Sequence, residues 1–161
     1  MRGHKTAEIS TNDTDQSQSK TYTQIVSINN LQTHSLQSDI IGRNNVIYAH
    51  VVIKSYRSPR FRLLIDTGAS FSCLSVDFLK NLQTGGLPVE VLRTKRQAPS
   101  SASNHKLETM GDVILNLWFE CEDGELEIRN IRFTILRSLS MDMILGIEAI
   151  VSLDLRVECS V

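Results

Sequence analysis

The stretch LLIDTGAS, residues 63 to 70, places one carboxylate, Asp66, after three apolar residues and before a Thr-Gly-Ala-Ser turn. Apolar strands seldom deliver a charge inward, because an unpaired buried carboxylate is costly. Gly68 tolerates backbone angles that strain other residues in a tight loop. Small Ala69 and Ser70 leave room beside the acid. The hydroxyls of Thr67 and Ser70 can bond the acid or lock the loop. A rigid loop that presents a preorganised acid suits general acid–base work. One acid cannot act as acid and base together, so a hydrolase that uses carboxylates alone needs two. Two carboxylates about 3 Å apart share one proton. Unit charges about 4 Å apart at an effective dielectric of about 20 repel by about 4 kcal/mol. That separates the two titrations by roughly three pH units. One member then stays ionised and deprotonates water, while the other stays protonated and polarises a carbonyl. No second Asp-Thr-Gly or Asp-Ser-Gly exists in the chain; Asp39, Asp77, Asp112, Asp123, Asp142 and Asp154 all lack that context. A two-fold homodimer would supply Asp66 twice.

The elements that must hold this loop read as strands. VIYAHVVI (46–53) is β-branched and aromatic, and FRLLI (61–65) returns after the polar KSYRSPR turn (54–60). FSCLS (71–75) is a third strand, and 76–82 makes one or two helical turns with Ser75 as N-cap. VEVLRT (89–94) alternates as a strand, and 95–105 is a polar, exposed connection. Alternation resumes over 106–121, with Gly111 as a bulge or bend, and Asp123-Gly124 is a hairpin signal before 125–136. MILGIEAIV (143–151) turns helical late on, and LRVECSV (155–161) closes as a strand. Many short strands and almost no helix give an all-β class, closed or folded over.

Composition sets the limits. Hydrophobic residues make up 41% and charged residues 22%, ordinary for a globular domain, and the formal net charge of −1 demands neither a nucleic-acid nor a membrane partner. Cys73, Cys121 and Cys159 are odd in number and widely spaced, which points to reduced thiols and a cytoplasmic setting rather than a disulfide framework or metal pair. No apolar run approaches the roughly 18–20 residues of a membrane helix, and the N-terminus lacks the apolar core of a signal peptide. Residues 1–38 are rich in Ser, Thr, Gln, Asn and Asp and read as a flexible polar segment, although TYTQIVSI (21–28) has the pattern of a docking strand. The folded domain is expected over 39–161.

LLIDTGAS resembles the active-site loop of aspartic proteases. A single copy in a short chain resembles the dimeric retropepsins more than the two-lobed pepsins. MDMILGIEAI (141–150) is similar to the family's hydrophobic-hydrophobic-Gly segment before a C-terminal helix, and its Asp142-x-Ile-Leu-Gly146 form is closest to proteases of gypsy-like LTR retrotransposons. The resemblance covers about residues 40 to 161. It implies a retropepsin-like closed β barrel with one short C-terminal helix, working as a homodimer on extended peptide segments of a polyprotein, without metal or cofactor, in the cytoplasm or within virus-like particles. Asp66 would be the catalytic acid. Thr67 would make the hydrogen bonds that interlock two loops at the dimer axis. Gly68, Ala69 and Ser70 would line the substrate groove. Ser101, Ala102 and Ser103 fall in the flap, the hairpin that closes over the peptide. Ile144, Leu145 and Gly146 would pack beneath the loop. Retroviral enzymes often pair an acid two residues after the loop glycine with an Arg after the late glycine; Ser70 and Ile147 stand here, so both halves of that pair are absent together. The resemblance equally covers cellular retropepsin-like proteases of ubiquitin-shuttle factors and a non-catalytic module kept for dimerisation or peptide binding.

Other residues read more simply. Cys73 is a small buried strand residue rather than a nucleophile. His50 and His105 lack ligand-spaced companions and read as surface or flap histidines. Trp118 and Phe119 belong to the core of an alternating strand. The Arg93–Gln97 cluster is a solvated face, and Asp142 is a turn residue.

Overall fold

The computed structural model describes residues 20–26, 33–41, 46–53, 60–94, 105–122 and 124–157. In chain order these form β1 (Lys20–Val26), β2 (Thr33–Ile41), β3 (Val46–Val52), β4 (Phe61–Ile65), β5 (Cys73–Ser75), α1 (Val76–Thr84), β6 (Thr109–Cys121), β7 (Gly124–Leu136), β8 (Met143–Leu145), α2 (Ile147–Ser152) and β9 (Leu155–Val157). The all-β class is observed. Two short helices are present where the resemblance implied one.

Period-2 patterning explains the barrel. Val113, Leu115, Leu117 and Phe119 of β6 are all buried, as are Ile131, Phe133 and Ile135 of β7 and Ala49 and Val51 of β3. These rows meet Leu63, Leu74, Met143 and Leu145 in one core. Such strands cannot leave their apolar rows in water, so the sheet curls on itself. The order β3-β4-β8-β5-β7-β6 is closed by pairing of Val51 with Phe119 and Val52 with Trp118, giving a six-stranded barrel. Helix α1 plugs one side with Phe78, Leu79 and Leu82. The Phe61 and Phe78 rings meet edge to face at 4.8 Å. Ser75 caps α1 as its sequence position predicts, its Oγ accepting the Phe78 N–H at 3.0 Å.

Gly111 is the expected bulge. Its φ is +117°, the β6–β7 register shifts between Thr109 and Asp112, and a Cβ there would lie 2.6 Å from the Leu92 carbonyl oxygen. The tight approach limits the 89–94 segment to one bridge, Leu92 with Asp112, in place of the expected strand. β6 and β7 pair antiparallel on either side of the hairpin signal, with Cys121 opposite Gly124; Asp123 lies outside the described residues.

β2 crosses the expected boundary at residue 38, and β1 coincides with the docking-strand pattern of 21–28. β2 pairs with β1, β3 and β6, and its Leu36 is fully buried in the main core. Ladder bonds and that single anchor offset the ordering cost, and neither registers in composition. His50, expected at the surface, is buried on β3. Alternation on a closed barrel hides both faces where a neighbouring element lies outside. β9 pairs with β1 of its own chain, Leu155 opposite Ile25.

Candidate active site

The Asp66 loop is held by a strand from far along the chain. β8 sits between β4 and β5, parallel to β4 (Leu64 with Ile144, Ile65 with Leu145) and antiparallel to β5 (Cys73 with Ile144, Leu74 with Met143). Beyond the end of β4 the chain stays tied to it, because the Asp66 N–H donates to the Leu145 carbonyl at 3.0 Å. The turn then closes on itself, the Ala69 N–H donating to the Asp66 carbonyl at 3.2 Å. The Gly68 N–H donates to Asp66 Oδ1 at 2.9 Å, and no described residue bonds Oδ2. A hydrogen bond to one oxygen orients a carboxylate.

Glycine at 146 is required by space. A Cβ there would lie 2.4 Å from the Phe71 carbonyl carbon, 2.5 Å from its oxygen and 2.9 Å from the Ala69 carbonyl oxygen. The Gly146 N–H donates to Ser72 Oγ at 3.1 Å, and the Ile147 N–H donates to the Ala69 carbonyl at 2.8 Å. Residues 145, 146 and 147 therefore each bond a different point of the 66–72 loop.

The residues singled out in the sequence thus fall together. Asp66 is half-buried, Thr67, Gly68 and Ser70 are exposed beside it, and Ala69 is half-buried. Ile144, Leu145 and Gly146 lie against the loop, Leu145 fully buried. Ile147 is partly exposed and meets the loop through its backbone, with no charge at either it or Ser70. Ser101, Ala102 and Ser103 lie outside the described residues. Cys73 is buried, its thiol donating to the Phe71 carbonyl at 3.3 Å, which agrees with a packing role. Sequence reading missed Ser72. The available signal was a hydroxyl inside an otherwise apolar strand, where a buried polar group requires a partner.

Among the described residues, no group of three or more His, Cys, Asp or Glu is placed to hold a metal ion. No helix there is long and apolar enough to cross a membrane. The half-buried Asp66 carboxylate thus stands on a loop clamped by backbone bonds just past the end of β4. No protein-family model matches the chain, and no curated protein matches it. Among solved structures, the chain is similar to the retroviral protease-like domain of Ddi1 from Leishmania major, at 14% identity over 70% of this chain and 76% of that one, with a TM-score of 0.45. It is also similar to a retropepsin-like aspartic protease from Rickettsia conorii, at 19% identity over 69% and 74% of the two chains and a TM-score of 0.42. A Legionella pneumophila protein of unknown function follows, at 14% identity over 66% and 85% and a TM-score of 0.33.

Proposed function

We propose that this chain is an aspartic endopeptidase of the retropepsin type, active as a homodimer in which two copies of Asp66 share one proton. The observation that carries the reading is the clamped loop: a lone Asp-Thr-Gly turn whose acid accepts the Gly68 N–H and whose backbone is fastened to Leu145. A single acid needs a second, and two-fold symmetry provides it from the same exposed Thr67–Gly68 surface. Thr67 is the residue placed to interlock the loops across the axis.

In the proposed reaction the ionised Asp66 takes a proton from a water lying between the carboxylates. The water oxygen bonds to the peptide carbonyl carbon, while the protonated Asp66 gives its proton to the carbonyl oxygen. The resulting diol collapses: the ionised Asp66 takes a diol O–H proton as the C=O re-forms, the C–N bond breaks with its electrons going to nitrogen, and the other Asp66 gives its carboxyl proton to the departing amine, which restores the singly protonated pair. The attack is direct, with no covalent enzyme adduct. The substrate is an extended peptide gripped by strand-like main-chain bonds. The Asp142-x-Ile-Leu-Gly146 form favours a retrotransposon polyprotein as its source. β9 contributes to the dimer contact through the edge that β1 leaves open.

The test is cleavage of a library of apolar peptides at about pH 4 to 7, comparing the parent with Asp66→Asn. Turnover by the parent alone is expected, with specific activity falling on dilution as the dimer dissociates. Equal turnover by both proteins eliminates the proposal. Turnover by neither favours a peptide-binding or dimerisation module.

A further inference from the structure

Ser72 lies six residues past Asp66, is 2% exposed, and touches two elements at once. Its Oγ accepts the Gly146 N–H at 3.1 Å, and its carbonyl accepts the Thr134 N–H of β7 at 2.9 Å. Three bonds tie residues 145–147 to the loop. Two of them run backbone to backbone: Asp66 N–H to the Leu145 carbonyl and Ile147 N–H to the Ala69 carbonyl. The Ser72 hydroxyl makes the third, and it is the side chain in the clamp. Gly146 is buried, and among the described residues its N–H has no other acceptor. Without the hydroxyl, that donor would be stripped of water and unpaired, a state that protein segments shift to avoid. A shift of Gly146 carries the adjacent Leu145 carbonyl with it. That carbonyl holds the Asp66 N–H, so the displacement reaches the acid. Proton-transfer groups must be held within about 0.5 Å of their working geometry.

We propose that Ser72 is a positioning residue for Asp66, acting through the Gly146 N–H and the Leu145 carbonyl; the catalytic part of this inference rests on the proteolytic reading above. Ser75 provides a matched comparison. It is also buried, at 5% exposed, and it also accepts a backbone N–H, that of Phe78 at 3.0 Å. Its hydroxyl serves α1, and its link toward β8 is a backbone one, the Ser75 N–H donating to the Asp142 carbonyl at 3.0 Å, which Ser75→Ala leaves in place. A hydroxyl needed only for folding should behave alike at both positions.

The experiment compares the full chain with Ser72→Ala, Ser72→Thr and Ser75→Ala, reading kcat and KM separately on a peptide that the parent cleaves, and amide exchange at Gly146 and Asp66. Ser72→Ala should lower kcat about 10- to 100-fold, leave KM within about twofold, and speed exchange at both amides. Ser72→Thr keeps the acceptor and should restore kcat. Ser75→Ala should lower the melting temperature and leave kcat unchanged. The proposal is overturned if Ser72→Ala loses no more kcat than Ser75→Ala, or if its Asp66 amide exchanges at the parental rate. Should Ser72→Ala not fold, Ser72→Cys takes its place, being similar in size and a weaker acceptor: a reduced kcat supports the assignment and a parental kcat overturns it. If the parent cleaves nothing, the proteolytic reading fails alone, and exchange at the Asp66 amide still decides whether Ser72 places that residue.

Discussion

The Asp66 loop and the β1–β2–β9 ribbon both depend on partners distant in the chain, yet they are held by different means. The loop is fixed by close approach. Backbone from residues 145–147 presses against Ala69 and Phe71 so tightly that one position admits only glycine. The ribbon is fixed by a ladder. β1 pairs with β2 over seven residue pairs, from Lys20 with Asp39 to Val26 with Thr33, and with β9 over three. Close approach dictates residue types, because a single extra carbon collides. A ladder uses groups that every residue other than proline carries, so it accepts polar sequence. The same strength of constraint therefore leaves a strong mark at one site and almost none at the other.

The widest break in this contrast is Gly146→Ala. Its methyl would meet two backbone atoms of Phe71 at 2.4 and 2.5 Å. We expect a loss of about 3 kcal/mol together with loss of cleavage, measured by thermal unfolding and peptide turnover. A variant with parental stability would show that the loop is looser than described. Next is Leu36→Ala in β2, where a fully buried side chain anchors the ribbon to the core. The cost should be about 2 kcal/mol, toward the lower end for such truncations because an edge ribbon can settle into the space. Turnover per folded molecule should stay at the parental value; a drop would join ribbon and loop into one unit. Ser75→Ala is the smallest, about 1 kcal/mol from the lost N-cap of α1, read by chemical denaturation.

This contrast also explains what could be read in the sequence. Asp66, Gly68, Leu145 and Gly146 were legible because their chemistry and packing demand those residue types in that order. β4, β6 and β7 were legible because they are rich in apolar and β-branched residues, and β6 alternates between core and exterior from Val113 to Phe119. β1 showed only as the docking-strand pattern of 21–28, and β2 did not show at all, since its order comes from pairing rather than from an apolar face visible in composition. The 89–94 segment alternates well and still forms only one bridge, Leu92 with Asp112, where the β6–β7 register shifts beside Gly111. Ser72 escaped notice because its partner, the Gly146 N–H, is a backbone group 74 residues away.

The insertion of β8 between β4 and β5 has a consequence in time. Leu145 follows Asp66 by 145 − 66 = 79 positions. At about 5 to 20 residues per second, a ribosome releases the acid on the order of ten seconds before the carbonyl that steadies it. Throughout that interval β4 and β5 each lack a neighbour, and the carboxylate hangs on an unfinished turn. The Asp66 turn is thus completed only after β6 and β7 have been made.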